Sequence, residues 1–194
     1  MQDRRQQIVE AGLEVLREHG YAGFTQPRVA ARAGLRQSHL TYYHPTRLDL
    51  LAAVGRAAVD RQLAAVDGAL GGLASPEAAA TAIAELITKS GNTRVLMALA
   101  QAGDEAPELR AFFRELADGI VERVSRTVLR RLDAGTAEGF ARLLHALSVG
   151  LAVVDLATGR PDGKGRAADI LLIALRTIAG TSTSPAKPAT GGDP

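Results

Sequence analysis

Residues 25–51 read TQPRVAARAGLRQSHLTYYHPTRLDLL, and this stretch decides the fold. Thr25 is a good helix N-cap, and Pro27 sits in the first turn, where a missing N–H costs little. Val29, Ala30 and Ala33 form an apolar stripe, and Gly34 ends the helix where the backbone must turn with positive φ. A second short helix is expected from about Arg36 to Tyr43, stopped by Pro45. Thr46 starts a third, with Asp49 three residues on, close to a capping box. In the middle helix Leu35 and Leu40 can anchor to a core, which leaves Arg36, Gln37, Ser38, His39, Thr41, Tyr42 and Tyr43 largely outward. A solvated helix face usually carries Glu and Lys pairs; this one has no acid. Its short or planar hydrogen-bonding groups suit base edges and phosphates. The arrangement predicts a helix-turn-helix whose second helix enters a major groove.

Charge agrees. Between His19 and Leu48 there are four arginines (Arg28, Arg32, Arg36, Arg47), three histidines and no Asp or Glu. Arg36 stands near a helix start, where a cation opposes the helix dipole. A nearby phosphate or guanine would explain it; so would an Arg that simply points into solvent. Over the whole chain the net charge is +2, but residues 1–61 hold nine basic and six acidic groups against thirteen and fourteen in residues 62–180. The basicity is local to the N-terminal part, as a DNA footprint requires.

Residues 4–54, RRQQIVEAGLEVLREHGYAGFTQPRVAARAGLRQSHLTYYHPTRLDLLAAV, resemble the DNA-binding domain of the TetR family of bacterial transcriptional regulators. The helix ending in HGY, the Thr cap, the AARAGL turn and the LTYYHPTR run carry the resemblance by their order and spacing. It implies phosphate contacts from Thr25, Tyr42, Tyr43, Thr46 and Arg47, and base-facing positions at Arg28, Gln37, Ser38, His39 and Thr41. Three positions depart from the family pattern: Arg36 stands for a usual capping Ser, Thr41 for a Tyr or Phe, and His44 for a Phe that wedges between helices.

The remaining chain is Ala- and Leu-rich with few aromatics, which favours helix throughout. Helices are expected over about 3–19, 46–70, 75–90, 93–103, 107–132, 137–158 and 167–179. The result is an all-α chain: a helix-turn-helix domain over 1–54, a helical ligand-binding and dimerisation domain over 55–180, and a disordered tail over 181–194. No unbroken apolar run reaches 18 residues, so no membrane span is expected. Met1 to Arg5 is polar, which argues against a secretory signal. There is no cysteine, which excludes disulfides and cysteine chemistry and fits a cytoplasmic protein.

Helices over 140–156 and 167–179 are apolar on more than one face, so an outer side also needs cover. A second subunit supplies it through a four-helix packing, with Leu144, Leu147, Leu151, Leu171, Leu172 and Leu175 at the seam; a deeply buried monomer core is the alternative. The resemblance implies the same homodimer. The four histidines lack metal-ligand spacing, and there is no nucleophile elbow, P-loop or dinucleotide glycine cluster. An enzyme is not expected, nor a cofactor or metal. The resemblance implies an apolar cavity for a small-molecule effector, and Met97, Gln101, Phe112, Phe113, Leu116, His145 and Ser148 are candidate lining residues. Each of these has a plain core or interface reading beside it. Asp155 could equally pair with Arg160 or Arg166. The expected function is a DNA-binding regulator, a repressor on a palindromic double-stranded operator, released by a small molecule. The alternative is a helical ligand-binding or interaction protein without operator binding.

Overall fold

A computed structural model describes residues 3–73 and 75–181 of the chain. Among the described residues there are nine helices and no strand. The first four are α1 (Arg4–His19), α2 (Gln26–Arg32), α3 (Gln37–Tyr43) and α4 (Arg47–Leu70). The others are α5 (Pro76–Ile87), α6 (Ser90–Ala102), α7 (Glu108–Thr127), α8 (Ala134–Thr158) and α9 (Gly163–Thr181). The expected disordered tail lies outside the described residues beyond Thr181.

The local rules account for the helix starts. Asp3 caps α1, accepting from the Arg5 N–H, and Thr25 caps α2, accepting from the Arg28 N–H. Thr46 and Asp49 close a full capping box at the head of α4. Ser75 caps α5 ahead of Pro76. Gly34 adopts φ 64° between α2 and α3, which only glycine does at no cost. Five boundaries differ from expectation by three residues or more; α5 stops at Ile87 and α6 starts at Ser90, each three residues early. Helix α7 stops at Thr127 and residues 128–132 form turns. Helix α8 starts at Ala134, because Asp133 accepts from the Thr136 N–H and caps one turn earlier. Helix α9 starts at Gly163, behind Asp162, whose carboxylate accepts from the Gly165 N–H.

Two apolar cores divide the molecule. The first gathers Ile8, Leu16, Phe24, Val29, Leu40, Leu50 and Val54, then continues through Val95, Leu99, Ala106 and Leu109. The head is therefore sealed by α6 and the start of α7 and does not close at residue 54. The second core holds Val66 and Leu70 of α4 with side chains of α5, α7, α8 and α9. Helix α4 feeds both; its 24 residues span about 36 Å.

Helix α8 is long and apolar enough to cross a membrane by length and composition, although polar residues interrupt it before any apolar run reaches 18. Only 22 % of its most apolar window is buried in the chain, so one face still lacks cover.

Close packing of α1 on α4 depends on Gly12. A Cβ there would lie 2.5 Å from Val54 Cγ2, a stiff, fully buried side chain. Alanine would gain about 1 kcal/mol of helix propensity against an overpacking cost of about 1–3 kcal/mol. Valine adds two more methyl groups to the same clash. Gly12→Val is expected to cost about 2–3 kcal/mol, seen as a lower urea midpoint at unchanged slope.

Candidate DNA interface, ligand cavity and outer face

The helix expected to enter a major groove is α3. Leu40 is fully buried and Leu35 packs on the same core, so the helix is pinned by its inner side. Gln37, Ser38 and His39 are exposed and their side chains make no hydrogen bond among the described residues, which leaves the side-chain polar atoms free for a base edge. Arg36 occupies the N-cap with no side-chain cap bond, so its guanidinium is also free. Thr41 is half-buried and donates its hydroxyl back to the carbonyls of Gln37 and Ser38 at 3.1 and 3.2 Å. It can offer a base only lone pairs and a methyl group. Tyr42 is 79 % exposed and meets Tyr43 edge-on at 5.2 Å. The Arg5 guanidinium lies 5.9 Å from the Tyr43 ring centre, and Arg4 shares a shallow hollow with Leu35, His39, Tyr42 and Tyr43. Sequence reading missed Arg4 and Arg5. Their signal was the one used for Arg36, cations at a helix start, where the dipole disfavours them.

The other arginines of the acid-free stretch are already engaged. Arg32 pairs with Glu14 and Glu18 of α1, and Arg28 donates to the Gly23 carbonyl at 2.7 Å. Of the stretch's arginines, Arg28 and Arg36 remain exposed with no acid partner among the described residues, and Arg4 and Arg5 stand nearby at the start of α1. Thr25 and Thr46 sit at helix starts as caps, with the Thr46 hydroxyl held by Asp49 at 2.8 Å. That hydroxyl and the Thr46 N–H hold the Asp49 carboxyl below its usual pKa. Gln26, another residue missed from sequence, donates to the carbonyls of His44 and Pro45 and clamps α2 to the turn after α3.

Arg47 does not face outward to a phosphate. Its guanidinium donates to the Phe24 and Tyr21 carbonyls at 2.9 and 3.2 Å and to the Tyr21 hydroxyl at 2.8 Å. It stacks 4.3 Å over the Tyr21 ring and reaches Glu105 at 3.3 Å. The Tyr21 hydroxyl donates to Glu105 in turn at 2.5 Å; partial burial, then that carboxylate, raises its pKa. This triad ties the loop before the helix-turn-helix and the start of α4 to the turn between α6 and α7.

His44 is buried, and its Nε2 finds no partner among the described residues. Burial, and then the Arg5 charge, lower its pKa, with Asp49 opposing in part. A proton is therefore disfavoured in the folded state.

Further along, α4 to α8 enclose a cavity of about 430 Å³. Met97, Phe113, Leu116, His145 and Ser148 line it, with Val66, Leu70, Ile83 and Leu144. Gln101 is exposed and lies outside the wall; Phe112 packs beside Gly55 under the Arg56 guanidinium, 5.2 Å from its ring centre. Neither belongs to the cavity. No group of His, Asp or Glu among the described residues could hold a metal ion.

The outer face of α8 and α9 also differs from expectation. Leu144, Leu171 and Leu175 are buried in the chain's own core, and Leu144 forms cavity wall, so none of the three can meet a second subunit. Leu147, Leu151 and Leu172 are half-buried. The open apolar stripe runs through Leu143, Leu147, Leu151 and Val154 of α8, with Ile170 and Ile173 of α9 beside it. Asp155 pairs with Arg166 at 3.3 Å.

Residues 8–54 match the family of bacterial regulatory proteins, tetR family. A search of curated proteins finds no match. Solved structures share the whole fold. A transcriptional regulator from Rhodococcus sp. RHA1 superposes with a TM-score of 0.80 at 23 % identity, over 91 % of this chain and 96 % of its own. A TetR-family member from Streptomyces coelicolor A3 gives 0.70 at 27 %, covering 89 % and 98 %. The multidrug binding protein EbrR, solved with imidazole, gives 0.65 at 28 %, covering 88 % and 89 %.

The engaged and free side chains separate two roles. Gln37→Ala is expected to leave binding to random duplex unchanged and to relax preference at one base pair per half-site by about 1–3 kcal/mol. Arg47→Ala is expected to cost about 1–3 kcal/mol of stability through its lost charged hydrogen bonds, without changing the salt slope of DNA binding. Titrations against selected and scrambled duplexes at several salt concentrations, beside urea melts, measure both. His44 gives a pH signature. Its lowered folded pKa contributes stability above the unfolded value of about 6.5, and this is lost as pH falls through and below that value. His44→Phe is expected to reduce the fall in urea midpoint between pH 7.5 and 5.5; part of the fall remains with His145, whose pKa burial also lowers.

Proposed function

We propose that the chain, whose residues 8–54 match the bacterial regulatory proteins of the tetR family, is a DNA-binding regulator of that family and a cytoplasmic repressor released from its operator by a small molecule. Two copies pair through the open stripe on α8 and α9, and each places α3 in a major groove of a palindromic site. The observation that carries this reading is the course of α4. Its first turn holds the capping box behind the recognition helix, and its last turns, at Gln62, Val66, Ala69 and Leu70, are cavity wall. A ligand that favours one position of this helix shifts the spacing of two heads, because binding can move an equilibrium only by its differential affinity for the two states. The Arg47–Tyr21–Glu105 contacts transmit the same shift from the turn between α6 and α7.

The reading is tested by selecting sites from random duplex with the purified full chain. The expected product is an inverted repeat with half-site centres about 34–36 Å apart, or a multiple. Recovery of no enriched sequence would favour a helical ligand-binding protein without operator binding. Pairing is tested separately. Leu143 and Ile173 are 55 % and 66 % exposed in the single chain, so charges there leave the fold intact. Leu143→Glu with Ile173→Glu is expected to sediment as a folded monomer and to lose operator affinity, since two carboxylates would be stranded in an apolar interface.

A further inference from the structure

The cavity wall is apolar over most of its area, and its chemistry is restrictive. Its polar residues are Gln62, Asn92, Thr93, His145 and Ser148, and no described lining residue is an Asp, Glu, Lys or Arg. A cation or anion brought into it would lose its hydration without gaining a counter-ion, which is costly. His145 is itself shifted by burial alone, with no carboxylate beside it, so its imidazole is neutral near pH 7 and presents one N–H donor and one lone pair. Ser148, one helical turn on along the same face, donates its hydroxyl proton to the Leu144 carbonyl at 2.7 Å. Its oxygen therefore offers the cavity lone pairs only. The pair forms one polar spot able both to donate and to accept.

We infer that the cavity takes an uncharged, largely apolar molecule whose hydrogen-bonding group, of hydroxyl, phenol or carbonyl type, sits against His145 and Ser148; this rests on the ligand-responsive reading above. The volume of about 430 Å³ falls within the range of about 300–1,000 Å³ usual for small-molecule sites. Positive charge is near only outside the wall, where Gln62 and Asn92 border a small hollow flanked by Arg17 and Arg61. Arg61 there is paired with Glu10. Arg17 has no ion-pair partner among the described residues, but it lies outside the cavity wall, so an anionic amphiphile would have to carry its head out of the cavity into that hollow to reach it.

The test uses the full chain and N-phenyl-1-naphthylamine, an uncharged fluorophore. It is displaced in turn by 1-decanol, decanoate and decyltrimethylammonium, which share one tail and differ in charge. The expected result is displacement by decanol at a concentration at least about tenfold below that of either ion. His145→Phe should weaken decanol by roughly three- to tenfold. Ala152→Trp, which fills the cavity, should abolish fluorophore binding at an unchanged melting temperature; Ala117→Phe replaces it if the Trp variant melts early. Equal or better displacement by decanoate or by decyltrimethylammonium overturns the inference. So does an absence of displacement by decanol, or full fluorophore binding in the folded Ala152→Trp variant. Release of the DNA duplex is read in parallel. If decanol displaces the fluorophore and leaves the duplex complex intact, the ligand class stands and the release mechanism falls.

Discussion

Helix α4 belongs to two cores at once, and the arrangement of the molecule depends on it. Leu50, Leu51 and Val54 are fully buried in the head, while Val66 and Leu70 are buried in the body. A single helix cannot bend cheaply between them, because each residue's backbone is fixed by its neighbours' hydrogen bonds. The head can move relative to the body only if α4 moves as a rod or if the packing at one of its ends slides. The Thr46–Asp49 capping box fixes where the rod begins. Gly12 and Gly55 lie where α1, and then Leu99, Leu109 and Phe112, pack close against it.

The Arg47 triad shows how the same side chain can be read in two ways. At a helix start beside a proline turn, an arginine suits a phosphate. Here it meets two backbone carbonyls, a tyrosine ring and the carboxylate of Glu105, 58 residues away. Those carbonyls need donors, and the guanidinium supplies a planar fork to both. The result stabilises the joint between head and body and takes Arg47 out of the exposed basic groups, which leaves Arg28, Arg36 and the start of α1.

The body combines an apolar cavity, partly open to solvent at Met97 and Val149, with an open apolar stripe on the same helix. Helix α8 turns Leu144, His145 and Ser148 to the cavity and Leu143, Leu147, Leu151 and Val154 away from it. Ligand cover and subunit cover are thus two sides of one helix, which brings the cavity within one helix diameter of the face where a second copy would sit. Its high apolar content, enough by composition for a membrane span, follows from having two faces to bury.

By itself the sequence determined the helix-turn-helix, its caps and its glycine turn. Those features depend on residues within four positions of one another: Thr25 with Arg28, Thr46 with Asp49, Gly34 in its own positive φ. Of its seven candidate cavity residues, Met97, Phe113, Leu116, His145 and Ser148 border the cavity and Gln101 and Phe112 do not, because which helices meet is a tertiary matter. Only the tertiary structure decided which stripe of a doubly apolar helix turns inward, so that Leu144, Leu171 and Leu175 fill the core while Leu143 and Ile173 stay open. Helical periodicity states which residues share a face and not what that face meets. The partners of Arg32 and Arg47, and the isolation of His44, were beyond it for the same reason. They depend on charges and carbonyls brought together by packing from 14 to 58 residues away, or on burial that leaves a ring nitrogen with nothing to bond.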